Sequence, residues 1–148
     1  MGLEIVNKGI GGEVFKPELA GCREPYNPKI VTVAYGTNDW SKSSPEVFKR
    51  DCREFYKTVS ELYPDAKIFG ITPPWNKNFD NTSKRMTFTQ IADEIEILTS
   101  DLKNVTIIRG DNLIPHDEKF FGDLFVHPNN DGFDHYFKNL YNEIKKHI

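Results

Sequence analysis

Apolar residues along this chain form short runs that alternate with stretches in which they recur every three or four positions. Short apolar runs are typical of buried strands, and the recurring pattern is typical of amphipathic helices. The strand-like runs are Leu3–Val6, Ile30–Tyr35, Lys67–Ile71 and Val105–Ile108. The helix-like stretches carry Val47, Cys52, Phe55, Val59 and Leu62, then Phe88, Ile91, Ala92, Ile95 and Leu98, and finally Phe133, Tyr136, Leu140, Tyr141 and Ile144.

Helix boundary signals support this division of the chain. Ser44 followed by Pro45 is a helix start, and Pro64 with Asp65 ends that helix. Strands separated by helices predict an α/β domain with a parallel sheet covered by helices on both faces. Because no linker or repeat divides the chain, residues 1–148 are predicted to form a single domain.

Composition narrows the class of protein. The 148 residues carry 19 Lys and Arg against 22 Asp and Glu, a net charge of −3, which argues against a nucleic-acid binder. No apolar run reaches the length of about 18 residues that a membrane span needs. The start of the chain has no charged region and no cleavage site of a signal peptide. The two cysteines, Cys22 and Cys52, form no disulfide framework, so a reducing compartment, the cytoplasm, is predicted.

Unusual residue clusters follow each predicted strand. Gly9 to Glu13 follow the first strand, Gly36 to Trp40 the second, and Pro73 to Trp75 the third, while Asp123 and His127 come after the last strand and a longer segment. In parallel sheets, ligands bind at the carboxyl ends of the strands. The sequence therefore predicts one functional rim that gathers all four clusters.

The tetrapeptide Gly36–Asp39 has two readings. The amide of Asn38 at a strand end could donate a hydrogen bond to an oxyanion, whereas Gly, Asn and Asp are also ordinary turn formers. The stretch from Asn7 to Gly12 is similarly open, because its glycines suit an oxyanion donor, a phosphate cradle or a structural turn. Its spacing fits no established nucleotide-binding motif.

His127 is the strongest candidate for a general base. It follows Asp123 and precedes a rigid proline at the start of a helix, and a carboxylate can fix the tautomer of an imidazole. A structural histidine is the plain alternative. His116, His135 and His147 lack such a setting, and no spacing typical of a zinc site is present, so neither a metal nor another cofactor is predicted.

Together and in this order, these motifs resemble the SGNH hydrolases, also called GDSL-type esterases and lipases. Asn7–Gly12 is similar to the family's Asn-x-Gly-x-x-Gly stretch, Gly36–Asp39 to its Gly-x-Asn-Asp, and His127-Pro128 to the core of its Asp-x-x-His-Pro. The resemblance implies Gly12 and Asn38 as oxyanion donors, His127 as the base and Asp123 as its orienting carboxylate. It also implies a three-layer, flavodoxin-like fold.

Two departures from the family pattern stand out. The Gly-Asp-Ser that carries the family's nucleophile does not occur among the 148 residues. None of the serines considered, Ser41, Ser43, Ser44, Ser60, Ser83 and Ser100, lies in a nucleophile turn. In addition, Asp123 precedes His127 by four residues where the family usually has three, which leaves Asp117 and Asp131 as alternative carboxylates.

The resemblance also implies that the family's first strand, which lies between its second and third, is missing from this chain. Unpaired backbone groups on both neighbouring strands would be costly when buried. The sequence therefore predicts that the chain is part of a longer protein, re-pairs its strands, or exchanges them within a homo-oligomer.

The function implied by the resemblance is ester hydrolysis by Ser-His-Asp acyl transfer on a small substrate, such as an acetylated sugar or a short acyl ester. Without a nucleophile segment, the isolated chain is expected to be inactive. Trp40 and Trp75 are predicted to line the substrate cleft, with ordinary packing as the alternative. Two other functions stay open: a non-catalytic carbohydrate- or ester-binding module, and a flavodoxin-like phosphate or nucleotide binder.

Overall fold

A three-stranded parallel sheet forms the centre of the molecule. The computed structural model describes residues 4–82, 84–123 and 125–148. The strands are β1 (Ile30–Val33), β2 (Lys67–Ile71) and β3 (Val105–Ile108), and they lie side by side in the order β1-β2-β3. In register, Val31 lies opposite Ile68, which in turn lies opposite Val105. The parallel α/β architecture predicted from the sequence is confirmed.

Five α-helices and two 3-10 turns accompany the strands in the described part of the chain. The helices are α1 (Pro17–Ala20), α2 (Asp39–Lys42), α3 (Pro45–Leu62), α4 (Phe88–Thr99) and α5 (Asn130–Lys145), and the 3-10 turns are Gly110–Asn112 and Glu118–Phe120. Helix α1 precedes β1, α2 and α3 connect β1 to β2, α4 connects β2 to β3, and both 3-10 turns and α5 follow β3. The predicted start of α3 is confirmed, because the Ser44 hydroxyl accepts a hydrogen bond from the backbone N–H of Val47.

Helices cover both faces of the sheet. On one face, α3 and α4 pack with Ile68 of β2 into a core that includes Tyr56 and Ile91, all of them buried. On the other face, α5 places Leu140 and Ile144 against Phe69 and Ile108. This layering explains why the residues of β2 from Ile68 onward are buried: side chains that alternate along the strand enter two different cores.

Two helix faces differ from the expected ones. In α3, Val47 is exposed and the neighbouring Phe48 is buried, because the face that meets the sheet continues through Cys52, Phe55, Tyr56 and Val59. In α5, Phe133 and Tyr141 are also exposed, together with Phe137. Phe133, Phe137 and Tyr141 are four residues apart and therefore form an exposed apolar stripe along α5.

The prediction of a first strand at Leu3–Val6 is wrong for the residues that the structure describes. Leu3 lies outside the described residues, and 4–6 form no strand, with Ile5 and Val6 exposed. The second strand ends at Val33 rather than Tyr35, and Thr32 is exposed, so β1 is not buried on both faces. The physical reason is pairing: in the described chain β1 is bonded to β2 alone and its other edge is open.

Gly110 is the residue at which a side chain would disturb this frame most. A Cβ at that position would lie 1.9 Å from the backbone oxygen of Thr72, and a backbone atom cannot move aside cheaply. We expect Gly110→Ala to lower the free energy of unfolding by about 3 kcal/mol in urea titrations. Gly11→Ala is the control, because a Cβ at Gly11 meets nothing within 4 Å. Equal stability of the two variants would contradict this packing.

Candidate active site

The carboxyl ends of β2 and β3 are bonded to each other directly. The backbone N–H of Gly110 donates to the Thr72 hydroxyl at 2.9 Å, and the N–H of Thr72 donates to the carbonyl of Ile108 at 3.1 Å. Both Thr72 and Gly110 are buried. The rim at which the candidate residues were predicted is thus fixed by hydrogen bonds that continue the sheet.

The turn that carries Asn38 is tightly built. Gly36 has a φ of 105°, and a Cβ there would lie 3.1 Å from Ile91 and 3.2 Å from Pro73, so glycine suits both the conformation and the space. The carbonyl of Gly36 accepts from the N–H of Trp40 at 3.3 Å. Asn38 is consequently held half-buried, immediately before α2.

Asn38 and the glycine-rich loop meet each other. The Asn38 amide donates to the carbonyl of Glu13 at 3.0 Å, and the Lys42 ammonium donates to the carbonyl of Gly12 at 2.5 Å. Gly12 itself has a φ of 77°. An amide NH₂ carries two hydrogens, so one remains for another acceptor. Within the described residues, no acceptor takes the backbone N–H of Gly12.

His127 and Asp123 form a dyad despite their unusual separation in sequence. The His127 Nδ1 lies 2.5 Å from the Asp123 Oδ2. The other carboxylate oxygen accepts the backbone N–H groups of Phe125, Val126 and His127 at 2.9, 2.9 and 3.1 Å. The chain therefore curls around the carboxylate, and the extra residue is accommodated within this turn. The His127 side chain is 82% exposed.

The other predicted carboxylates lie elsewhere. Asp117 caps the second 3-10 turn by accepting the N–H of Lys119, and it also pairs with the Lys119 ammonium at 2.9 Å. Asp131 is exposed in the first turn of α5. Among the described contacts, neither of them reaches His127, whereas Asp123 does.

Hydrogen bonding sets the ionisation of Asp123. Desolvation acts most strongly and raises its pKa, but the hydrogen bonds from the His127 ring and from the three backbone N–H groups outweigh it. The net effect is that the pKa of Asp123 lies well below its usual range. Asp123 is therefore an anion at neutral pH and can only accept. In the neutral imidazole, the ring nitrogen of His127 that faces this acceptor carries the hydrogen, and Nε2 is the nitrogen without one.

The low pKa predicts how this turn responds to acid. Because the folded pKa lies below the unfolded value of about 3.9, the ionised carboxylate stabilises the turn above that pH, and this contribution is lost as the pH falls through the folded pKa. We expect the backbone N–H signals of Phe125, Val126 and His127 to titrate by NMR with a midpoint well below 3.9. Asp123→Asn should abolish that titration. A midpoint at or above the ordinary aspartate value would contradict the hydrogen-bonded turn.

The two tryptophans pack against neighbouring rings. Trp75 is half-buried and stacks on His116, with ring centroids 5.1 Å apart and an interplanar angle of 10°. It also lies 5.7 Å from the ring of Phe121, which pairs with Pro128 next to the base. Trp75 thus connects the end of β2 to the segment that carries His127. A role of either tryptophan in binding substrate stays a prediction.

The candidate serines within the described residues have other partners or lie exposed. Ser44 caps α3, Ser60 donates to Asn104 at 2.6 Å, and Ser100 donates to the carbonyl of Ile97 at 2.9 Å. Ser43 donates to Asp39 at 2.9 Å. Ser41 is exposed on α2, and Ser83 lies outside the described residues. In the part of the chain that the structure describes, no serine hydroxyl contacts His127.

Sequence reasoning missed two residues at this rim. Lys42 ties down the Gly12 carbonyl, and no motif marks it. Asp39 is 3% exposed, with one carboxylate oxygen lacking a partner among the described residues. Burial raises the pKa of Asp39, although the Ser43 hydroxyl opposes that shift. The Gly36–Asp39 motif pointed to the turn but not to this burial.

Over residues 4–82, 84–123 and 125–148, no group of three His, Cys, Asp or Glu side chains could hold a metal ion. None of the helices in those ranges is long and apolar enough to cross a membrane. The described contacts thus form two groups, the Asn38–Gly12 loops and the Asp123–His127 turn, and none of these contacts joins one group to the other.

Comparison with known proteins places these groups in context. The sequence model described as GDSL-like lipase/acylhydrolase family matches residues 1–135. The sequence matches no curated protein.

Solved structures resemble the fold. The salicylyl-acyltransferase SsfX3 from a tetracycline biosynthetic pathway aligns with a TM-score of 0.73 at 15% identity over 89% of this chain and 41% of its own. A protein from Bacteroides ovatus assigned as a GDSL-like lipase aligns with a TM-score of 0.72 at 22% identity over 89% of this chain and 40% of its own. A possible lipase from Chitinophaga pinensis aligns with a TM-score of 0.59 at 16% identity over 90% of this chain and 66% of its own. This chain spans about two fifths of the first two neighbours.

Proposed function

The chain belongs to the GDSL-like lipase/acylhydrolase family, and on that premise we propose that it supplies the base and the oxyanion donors of a serine ester hydrolase. The observation that carries the proposal is the hydrogen bond between His127 and Asp123 at 2.5 Å, with the carboxylate held by three backbone N–H groups. This arrangement orients the imidazole and stabilises the imidazolium that forms when it accepts a proton.

The proposed oxyanion donors are the N–H of Gly12 and the amide of Asn38. The hydrogen bond from Asn38 to the Glu13 carbonyl fixes the amide relative to the glycine-rich loop, and Lys42 fixes the same loop through the Gly12 carbonyl. Donors held in place before the reaction stabilise developing charge without a reorganisation cost. This fixation supports an oxyanion site built from two loops.

The proposed reaction is acyl transfer through a serine that lies outside these residues. The serine oxygen bonds to the ester carbonyl while its proton passes to Nε2 of His127, and the bond to the leaving alcohol then breaks as that proton is returned. Water repeats the two transfers and releases the acid. Acetylated sugars and short acyl esters are the proposed substrates. No cofactor takes part in these steps.

Two unpartnered features support the idea that the serine comes from an additional strand and helix. The outer edge of β1 bonds to no strand among the described residues. Ile30 of β1 packs on the same face of the sheet as α5. On α5, Phe133 and Phe137 are 56% and 66% exposed. We propose that a strand pairs with β1 and its helix covers this stripe. The segment would come from a longer polypeptide or from a partner chain, by strand exchange in an oligomer.

The proposed location is a reducing compartment, the cytoplasm. Cys22 and Cys52 are both free, the first exposed and the second buried. An exposed free thiol is usual where thiols are kept reduced.

A fusion tests the proposal. A designed strand, a Gly-Asp-Ser turn and a helix are linked ahead of residue 1, to give what we call the completed protein. We expect the completed protein to hydrolyse p-nitrophenyl acetate with saturation kinetics, and the isolated chain to give only the buffer rate. A version with Gly-Asp-Ala in the segment is the matched control. A folded completed protein that is no faster than this control would contradict the proposal.

A non-catalytic binding module is the second candidate, favoured by the absence of Gly-Asp-Ser from the 148 residues. It predicts that acetylated sugars bind the isolated chain and that the completed protein shows no serine-dependent turnover. Saturable turnover that needs the added serine would exclude it.

A further inference from the structure

A cavity of about 510 Å³ opens beside the proposed oxyanion loops. Its lining residues are Trp40, Ser41, Lys42, Ser43, Lys84 and Arg85. Three of the six are cations and none is a carboxylate, although the whole chain carries a net charge of −3. The positive charge is therefore local to this cavity, and it attracts anions.

The cations are not neutralised by nearby carboxylates. Among the ion pairs of the described residues, none involves Lys42, Lys84 or Arg85, whereas ten of the other sixteen lysines and arginines are paired. Glu13, the carboxylate nearest to Lys42 in the glycine-rich loop, pairs with Lys16 at 2.8 Å. A hydrogen bond from its own backbone N–H lowers the pKa of Glu46 most, and the charge of Arg85 lowers it further, but Arg85 and Glu46 form no ion pair among the described residues. Lys84 and Arg85 thus have no carboxylate partner among the described ion pairs, whereas the Lys42 ammonium already donates to the Gly12 carbonyl.

The floor of the cavity is rigid. The Trp40 ring stacks on Phe88 with centroids 4.9 Å apart, and Phe88 stacks in turn on Phe79 at 5.8 Å. The Lys84 ammonium lies 5.6 Å from the Trp40 ring centroid, a cation–π contact. The Trp40 Nε1 is buried without a hydrogen-bond partner among the described residues. An aromatic surface therefore lies alongside the cations, while the Trp40 Nε1 itself is buried beneath it.

The cavity adjoins the proposed oxyanion site. Lys42 lines the cavity and also donates to the Gly12 carbonyl, and a Cβ at Gly12 would lie 3.6 Å from its ammonium. Trp40 and Ser41 lie two and three residues after Asn38 in the chain. The Ser41 hydroxyl contacts the Asn38 carbonyl at 3.5 Å, a weak bond that it can exchange. A group seated in the cavity would thus lie next to an ester held by Gly12 and Asn38.

We propose that this cavity binds an anionic group, a carboxylate or a phosphate, on the ester substrate and so makes the enzyme selective for negatively charged esters. The selectivity toward a substrate rests on the proposed function. The binding of an anion in this cavity does not. Lys84 and Arg85 would contact the anion, and Trp40 would pack against the carbon skeleton that joins it to the ester.

Binding to the isolated chain tests the anion site without any catalysis. The probes are monomethyl succinate, its neutral analogue dimethyl succinate, and inorganic phosphate, followed by NMR of the Trp40 indole N–H and the backbone N–H groups of Ser41 to Ser43. We expect both anions to shift these signals and the neutral diester to leave them in place. A larger response to monomethyl succinate identifies a carboxylate ligand, and a larger response to phosphate identifies a phosphate ester.

Charge removal is the second arm. Lys84→Gln/Arg85→Gln should weaken anion binding about tenfold, and binding should weaken as salt is raised, because the cations are exposed. The matched control is Lys138→Gln/Lys145→Gln on α5, which changes the net charge equally and should leave the affinity within about twofold. Binding that is equal for the neutral diester, or unchanged in the Lys84 and Arg85 variant, would overturn the inference, as would the absence of any shift in folded protein.

Turnover separates this inference from the proposed function. In the completed protein, Lys84→Gln/Arg85→Gln should lower kcat/KM about tenfold for monomethyl succinate and leave it unchanged for dimethyl succinate. If the diester is hydrolysed and the anionic ester has no advantage that the variant removes, the selectivity is wrong while the hydrolase proposal holds. If neither ester is hydrolysed, the hydrolase proposal fails and the binding arm alone decides the anion site.

Discussion

Replacing His127 with alanine is expected to lower kcat of the completed protein about 10⁴-fold toward p-nitrophenyl acetate. The reason is that the serine loses the base that takes its proton, while Asp123 stays hydrogen-bonded to the backbone of the same turn through its other oxygen. The expected loss is in kcat, since His127 is 82% exposed and contributes little packing that could support substrate binding. Steady-state kinetics with matched thermal unfolding curves measures it.

His147→Ala is the control for this change. His147 lies beyond the end of α5, where it is exposed, and none of the site contacts involves it. Its removal should leave kcat within about twofold, as surface substitutions usually do. A completed protein that keeps a tenth or more of its activity without His127 would show that another group is the base, and His116 beside Trp75 would then be examined first.

Replacing Asn38 with alanine is expected to lower kcat about 100- to 1000-fold, the effect of removing one oxyanion donor. KM should change much less, because the amide binds charge that develops only in the transition state. The same change also removes the hydrogen bond to the Glu13 carbonyl, which is 3.0 Å in length. Loosening of the glycine-rich loop could therefore add to the loss.

A second substitution repeats the loss of the amide donor, and the split between kcat and KM in both variants separates the oxyanion role from an effect on the loop. Asn38→Asp keeps the size of the side chain but replaces the donor with an acceptor, so it should lose at least as much kcat as Asn38→Ala. Asn142→Ala, on the exposed part of α5, is the control and should be close to the parent. A rise in KM with kcat unchanged in both Asn38 variants would contradict an oxyanion role and assign Asn38 to the loop alone.

The sequence correctly predicted the strands that have a neighbouring strand to pair with in this chain. Lys67–Ile71 and Val105–Ile108 form strands with the expected bounds, because each pairs with a neighbour in register and is covered by helices. Within the expected strand Leu3–Val6, the described residues 4–6 pair with no strand and are exposed, although the local pattern is as apolar. The order of apolar and polar residues indicates how much of a segment is suited to burial. Whether the segment forms a strand depends on a neighbouring strand with which it can pair.

Helix faces show a related limit. In α3 the expected face is confirmed at Cys52, Phe55 and Val59, which are buried, and it is wrong at its first position, where Phe48 is buried and Val47 is exposed. Several apolar residues in α3 satisfy more than one face, and only the position of the sheet selects among them. In α5 the same ambiguity left Phe133 and Tyr141 as expected core residues, whereas the structure exposes both.

At the site, the sequence motifs indicated which residues lie near one another, but not which hydrogen bonds join them. Asn38 and Gly12 were expected at one rim, and the structure adds that Asn38 reaches the carbonyl next to Gly12 while Lys42 holds the Gly12 carbonyl. The spacing of Asp123 and His127 left the carboxylate open, because four residues can be spanned in several ways. Three backbone N–H groups donate hydrogen bonds to Asp123 and thereby fix one conformation of this segment. The residue types alone do not specify that conformation.

The measurement that tests the central claim most directly is labelling with a fluorophosphonate, which reacts with activated serines, read by peptide mass spectrometry. The claim is that this chain holds the base and oxyanion donors but no nucleophile of its own. We predict that the isolated, folded chain takes no label. The completed protein should be labelled at its added serine, and His127→Ala should remove that label. A labelled serine within the chain's own 148 residues, lost in His127→Ala, would contradict the claim and show a self-sufficient hydrolase.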